Sequence, residues 1–175
     1  MATLALGVLS GCSSGTGAGE ESGGQLTLAT IKSPIQLLRN EAAGRIPSAE
    51  VDSIVQPTDR SSACKPSAED PDELYRTWES GVLTLIKQNS SKPVKDIEKD
   101  LIDSFLAQGW SEGEAPAAKT TRLVKDSTFA TIDLSFVEHD LVSKVDGQIQ
   151  VITLGPCVLT DGPDSAEVRK LEGKD

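Results

Sequence analysis

The sequence predicts an α+β protein, a two-layer domain in which one antiparallel sheet of about five strands carries two helices packed on one face. Two segments repeat apolar residues at helical spacing, and several others alternate apolar with polar residues, as half-buried strands do. The predicted strands follow one another through turns more often than through helices, and such hairpin connections give antiparallel neighbours. A length of 175 residues fits one such domain with flanking segments.

The first predicted helix begins at Ser33, whose side chain can cap it, and has Pro34 in its first turn. Gly44, followed by Pro47, ends it. Three apolar residues at helical spacing form its buried face: Ile35, Leu38 and Ala42.

The second predicted helix, over residues 94–107, has the clearest pattern in the chain. Its apolar stripe consists of Val94, Ile97, Leu101 and Phe105. Gly109 suits the position after the helix end, where a left-handed backbone is common, and Trp110 can then fold back onto the last turn.

The remaining apolar segments predict strands separated by turn-forming residues. These strands are placed at 51–57, 74–86, 120–124, 129–137 and 148–154, with a further short one near Cys64. Gly81 predicts a bulge, and Asp146-Gly147 predicts a tight turn. We therefore assign residues 25–160 to the α+β domain and residues 161–175, which lack a periodic apolar face, to a loosely ordered tail.

The chain is acidic, with 17 Lys and Arg against 27 Asp and Glu and a net charge of −10. Such a chain is not suited to neutralising phosphates, so we expect no nucleic-acid partner. Anionic lipid headgroups also repel it, so residence at a membrane requires an anchor other than charge. We expect an unknown protein or small-ligand partner to be basic rather than acidic.

The N-terminal segment predicts export and lipidation. Residues 2–9 are apolar and small residues follow them, as in a secretory signal. The run Leu9-Ser10-Gly11-Cys12 resembles the lipobox of bacterial lipoproteins, and that resemblance implies cleavage before Cys12 and a diacylglyceryl group on its sulfur. The signal peptide, residues 1–11, lacks the basic residues that usually open such a segment, which we interpret as a truncated n-region. The alternative for Cys12 is an ordinary surface thiol.

The segment after Cys12 predicts a flexible tether, residues 12–24. Residues 13–24 contain no apolar side chain larger than Ala and are rich in Gly and Ser. A dozen such residues behave as a coil that spans on the order of 20 Å. We therefore expect a domain held by its lipid at the extracytoplasmic face of the cell membrane.

The other two cysteines, Cys64 and Cys157, are candidates for a disulfide. An even pair in an exported chain favours that bond. The alternatives are two buried reduced thiols, or a zinc site that would need His139 as a third ligand. The chain has no paired CxxC spacing, so we expect no metal.

The motifs in their order along the chain resemble those of small uncharacterised lipoproteins of high-GC Gram-positive (actinobacterial) bacteria. The resemblance depends on Ile46-Pro47, Cys64, Tyr75 with Trp78, Gln108-Gly109-Trp110 and Gly155-Pro156-Cys157-Val158. It implies an acylated envelope protein with a disulfide, and it implies no reaction.

Residues suited to catalysis are scarce. The single histidine, His139, lies between Glu138 and Asp140 in a segment that predicts a solvated loop. No serine or cysteine has an activating base within a recognisable motif, and the carboxylates cluster in loops and on the polar face of the second helix. Trp78 and Trp110 are candidate ligand platforms as well as candidate core residues, and His139 is a third candidate ligand contact.

These observations predict a non-enzymatic, lipid-anchored binding or interaction module without a cofactor. The surfaces left for a partner are the sheet face away from the helices and the loops at 66–72 and 138–146. The alternatives are an envelope hydrolase or modifying enzyme that uses surface carboxylates, and an accessory subunit of a membrane-protein complex. A concave apolar pocket would favour a lipidic ligand, and a cleft with perturbed carboxylates would favour the enzyme.

The assignment of Cys12 can be tested by detergent partitioning. Two acyl chains, at about 0.8 kcal/mol for each buried methylene, anchor a protein stably. The chain expressed with a complete signal in a lipoprotein-processing bacterium is expected in the detergent phase, and Cys12→Ser in the aqueous phase. Identical partitioning of the two proteins would contradict lipidation.

Overall fold

The computed structural model describes residues 26–138 and 145–174 and confirms the α+β class. Within them lie three helices and seven strands, rather than the two helices and about five strands expected. The helices are α1 (Leu28–Gly44), α2 (Val94–Leu106) and α3 (Ala166–Leu171). The strands are β1 (Val51–Ala63), β2 (Tyr75–Lys87), β3 (Ser111–Gly113), β4 (Thr120–Lys125), β5 (Ala130–Glu138), β6 (Val145–Leu154) and β7 (Val158–Leu159).

All paired strands run antiparallel in one open sheet with the order β1-β2-β6-β5-β4-β3, and β7 pairs with the start of β2. Helices α1 and α2 pack on the same face, because both contribute to one cluster with alternate residues of the central strands. Its fully buried members include Ala42, Ile86, Phe105, Leu123, Ile132, Leu134, Ile149 and Val151.

Helix α1 begins five residues earlier than Ser33, so the predicted cap is wrong. Thr27 caps the helix through a reciprocal pair of hydrogen bonds with Thr30. Leu28 is fully buried in a second apolar cluster that includes Trp78, and this tertiary contact stabilises the added turn. Pro34 therefore lies inside the helix.

Strand β1 is continuous where the sequence predicts two short strands, and the predicted bulge lies on it rather than at Gly81. Two residues of β1, Gln56 and Pro57, face one residue of β2 between the pairs Val55–Leu83 and Thr58–Gly81. Because β1 is an edge strand, the missing N–H of Pro57 is tolerated. Gly81 instead makes room, since a Cβ there would lie 2.9 Å from Thr58 Oγ1.

The tight turn predicted at Asp146-Gly147 is wrong, because both residues lie inside β6. Gly147 pairs with Ile86 on one side and with Glu138 on the other. A Cβ on Gly147 would come within 2.6 Å of the Val137 carbonyl oxygen, so this glycine permits close strand approach rather than a turn.

Residues 161–174 contain a short helix, α3, although their composition shows no periodic apolar face. Ser165 caps α3, and Val168, only 1% exposed, docks into the cluster that holds Trp78. Lys32 of α1 donates to the carbonyl oxygen of Leu171 at 2.5 Å. A single buried valine and these polar contacts attach α3 to the domain. Such an attachment leaves no periodic apolar pattern in the sequence.

The predicted Cys64–Cys157 disulfide is confirmed, with a Cα–Cα distance of 6.0 Å and a sequence separation of 93. It joins the end of β1 to the segment that follows β6. Among the described helices, none has both the length and the apolar character needed to cross a membrane.

Loss of this disulfide is expected to lower stability substantially. A loop of this length removes about 4–5 kcal/mol of unfolded-state entropy in the chain-entropy model. The double variant Cys64→Ala/Cys157→Ala is therefore expected to unfold at a much lower urea concentration than Cys12→Ser, which lies outside the loop. Equal midpoints for the two variants would contradict a stabilising disulfide.

Candidate functional site

The described residues form an apolar groove of about 460 Å³ along one side of α1, here called the α1 groove. Ten of the thirteen described residues that line it are apolar, so an apolar ligand suits it better than a polar one. The lining residues are Leu26, Thr30, Ile31, Pro34, Ile35, Leu37, Leu38, Glu41, Trp110, Thr128, Phe129, Ala130 and Pro156.

Helix α1 forms the first wall of the α1 groove with residues that recur at helical spacing. Ile31 and Ile35 belong to the buried stripe. A second stripe at the same period runs along the groove, and it contains Thr30, Pro34, Leu37 and Glu41. Leu37 is 67% exposed, so this stripe places apolar surface in solvent rather than in the core.

The turn between β4 and β5 supplies the opposite wall through Phe129. Its ring is 73% exposed and its backbone has a φ of +51°. A left-handed backbone costs energy in a residue with a side chain, and an exposed aromatic ring gains nothing from the core. The sequence places Phe129 in a strand, but β5 begins only at Ala130. Two unfavourable features at one position indicate a role outside folding.

Trp110 forms part of the base of the groove, as its predicted return onto α2 allows. Gly109 has a φ of +81°, and the Trp110 N–H donates to the Phe105 carbonyl oxygen at 3.2 Å. The rings of Phe105 and Trp110 meet edge to face with centroids 5.5 Å apart. Trp110 is 7% exposed and faces the groove, so a bound ligand can contact it.

The other predicted site residues are placed differently. Trp78 is fully buried in the core and donates from Nε1 to Asp59 Oδ1 at 3.2 Å. His139 and Cys12 lie outside the described residues. The sequence did not predict the groove. Leu37 and Glu41 lie one helical turn apart beside the predicted buried face of the first helix, and this spacing was a signal for it.

A buried polar cluster fixes α1 and thereby the groove wall. Arg39 Nη1 lies 3.0 Å from Asp59 Oδ2 and donates to Ser80 Oγ at 2.7 Å. Ser80 Oγ in turn donates to Asp59 Oδ1 at 2.7 Å. Burial raises the pKa of the Asp59 carboxyl, but hydrogen bonds from Ser80, Trp78, Gln36 and Arg39 outweigh that effect and hold the pKa below its ordinary value.

A second cavity, of about 570 Å³, lies between α2 and the end of β5, and its described lining combines four charged residues with Phe136 and Val137. Burial, and then the charge of Glu138, raise the pKa of Glu98. Lys95 and Lys119 also line the cavity. These groups could bind an anion or hold a proton, but among the residues with coordinates no group of three or more His, Cys, Asp or Glu is placed to bind a metal.

Comparisons of the chain with protein-family models, curated proteins and solved structures found no match. The resemblance to actinobacterial lipoproteins therefore stays a prediction.

The Asp59 contacts predict a pH-dependent contribution to stability. Because the pKa of Asp59 is lowered on folding, its contribution is present above about pH 4, its unfolded value, and is lost as the pH falls through the folded value. Asp59→Asn is expected to cost about 1.5–3 kcal/mol near neutral pH, the range for hydrogen bonds to a charged group. The difference from wild type is expected to shrink in acid.

The matched control is Asp52→Asn, since Asp52 lies exposed on the same strand. Urea unfolding of the three proteins across the acid range measures the effect. A cost for Asp59→Asn that is the same at every pH would contradict a stabilising carboxylate.

Proposed function

We propose that this protein is a non-enzymatic binding module of the bacterial cell envelope, held at the extracytoplasmic face by a lipid on Cys12. In this proposal the α1 groove takes an acyl chain or a similar apolar ligand. The observation that carries the proposal is the groove itself, an apolar channel with exposed Leu37 and Phe129 on facing walls.

The size and chemistry of the groove support a single-chain ligand. Small-molecule sites commonly have about 300–1,000 Å³ and combine an apolar lining with a few polar groups. The three polar side chains here are Thr30, Glu41 and Thr128. Each buried methylene contributes about 0.8 kcal/mol, so affinity is expected to rise about fourfold per methylene until the groove is full.

Charge favours a neutral, zwitterionic or cationic head on that ligand. The chain carries a net charge of −10, and the carboxylate of Glu41 lines the groove. Although Glu41 pairs with Arg45, the net negative charge of the chain disfavours a fatty-acid anion. A single-chain phosphocholine is therefore a better probe than a free fatty acid.

The second cavity supports the enzyme as an alternative function. A raised pKa at a half-buried carboxyl group such as Glu98 is a feature of general acids. An envelope hydrolase activity that Glu98→Gln abolishes while the groove still binds its ligand would favour this alternative over the binding module.

Quenching of tryptophan fluorescence tests the binding module directly. The chain has two tryptophans, of which Trp110 lines the groove and Trp78 is buried. A single-chain phosphocholine with a brominated acyl chain is expected to quench Trp110 in full-length Cys12→Ser protein, kept below the micelle concentration. Lengthening the chain is expected to strengthen the effect.

The controls separate the groove from other exposed apolar surface. Trp110→Phe is expected to remove the quenching while the emission of Trp78 remains. Leu37→Ser/Phe129→Ser is expected to weaken binding at least tenfold, whereas Ile54→Ser/Val55→Ser on β1 is expected to leave it unchanged. Quenching that is independent of Trp110, or equal in both double variants, would contradict the groove as the site.

A further inference from the structure

We propose that the groove side of the domain is its membrane-facing surface, and that Leu26, Leu37 and Phe129 insert into the lipid interface. This inference rests on the lipid anchor in the proposed function and adds the orientation of the domain and its contact with the bilayer. These three side chains are called the rim residues below.

The rim residues group exposed apolar surface at one place. Among the residues with described side chains, seven large apolar ones are exposed, and three of these seven line the α1 groove. Leu26 is 52% exposed, Leu37 67% and Phe129 73%. Single exposed apolar residues are ordinary on protein surfaces, but a group around a groove marks an interaction site.

The position of the anchor selects the bilayer as the partner. Thirteen residues, 13–25, separate Cys12 from Leu26, and the tether that their sequence predicts would reach about 20 Å. Leu26 is itself a rim residue, so the lipid holds this side of the domain near the membrane. A tether of that span gives the rim a high effective concentration at the bilayer, so a weak insertion suffices.

The charge of the chain determines which bilayer the rim prefers. Glu41 lines the groove and Asp126 lies in the same turn as Phe129. A net charge of −10 is repelled by an anionic surface, so insertion depends on apolar contact alone. We therefore expect zwitterionic vesicles to bind the domain better than anionic ones, the reverse of a polybasic membrane site.

Insertion also accounts for the conformation of Phe129. An aromatic ring at the level of the headgroups is a common feature of proteins that lie on a membrane. In the β4–β5 turn, Phe129 combines a left-handed backbone with a side chain that lies outside the core.

Vesicle flotation of full-length Cys12→Ser tests the surface without the anchor. The protein is expected to associate weakly with phosphatidylcholine vesicles, and Leu37→Ser/Phe129→Ser is expected to lower the partition coefficient at least tenfold. The matched variant Ile54→Ser/Val55→Ser removes two exposed apolar residues of the edge strand β1 and is expected to change it less than twofold. Equal losses in the two variants, or stronger binding to anionic vesicles, would overturn the proposal.

If the association of the unanchored protein is too weak for flotation to detect, hydrogen exchange of the acylated chain on vesicles decides the question. Amides at 126–129 are expected to exchange more slowly on the bilayer than in Cys12→Ser without lipid, while amides at 52–55 are expected to be unchanged. Unchanged exchange at 126–129 would overturn the proposal. Protection that appears without lipid, together with a dimer in sedimentation, would overturn it in favour of a second copy of the chain.

The two proposals fail separately. Quenching of Trp110 by the monomeric brominated probe, together with unchanged exchange at 126–129 in the acylated chain on vesicles, would overturn the membrane-facing surface alone. Rim-dependent vesicle binding without any quenching would support the surface and overturn the apolar ligand.

Discussion

The ion pair between buried Arg39 and partly exposed Asp59 is the contact on which the placement of α1 depends. The Arg39 side chain is 8% exposed and must keep its partner, because an uncompensated buried charge is costly. Asp59 comes from the edge strand β1, and Ser80 of β2 bridges both groups. One helix and two strands are thus fixed in a single arrangement. Thr153 of β6 adds a third strand by donating to the Ile35 carbonyl oxygen at 3.0 Å.

This polar cluster allows α1 to expose apolar surface without losing its place. A helix held only by its apolar stripe would gain by turning Leu37 toward the core. Here the directional contacts of Arg39 restrict such a rotation, since hydrogen bonds weaken steeply when their geometry changes. Another part of the lining is held as well, because Pro156 lies next to the disulfide at Cys157 and Gly155 packs closely against Ile31 and Ile35. A groove whose lining is held in place before binding loses less conformational freedom when a ligand binds.

Local patterns predicted those parts of the fold whose causes are local. A single apolar stripe followed by Gly109 predicts both helix α2 and the folding of Trp110 back onto its last turn, and the structure confirms both. The start of α1, the continuity of β1 and the attachment of α3 depend on contacts distant in sequence, such as Leu28 with Trp78 and Lys32 with Leu171. The turn predicted at Gly147 was wrong because the sequence alone does not distinguish a glycine needed for close strand approach from a glycine needed for a turn.

The groove was harder to predict than the fold, because it is built from residues that periodicity assigns elsewhere. The sequence pattern assigns Phe129 to the start of a strand, whereas the structure places it in the β4–β5 turn with a φ of +51° and an exposed side chain. Leu37 lies on α1 beside the apolar residues of the predicted buried face, and its 67% exposure follows from the packing of the helix. Since α1 lies on the helix-covered face of the sheet, a domain that rests on the bilayer by its groove directs the opposite sheet face away from the membrane. That face, where Arg122 and Asp133 form a bidentate pair across β4 and β5, is then left for contacts in the aqueous envelope. A single orientation thus allows the apolar and the polar surface of the domain to work at the same time.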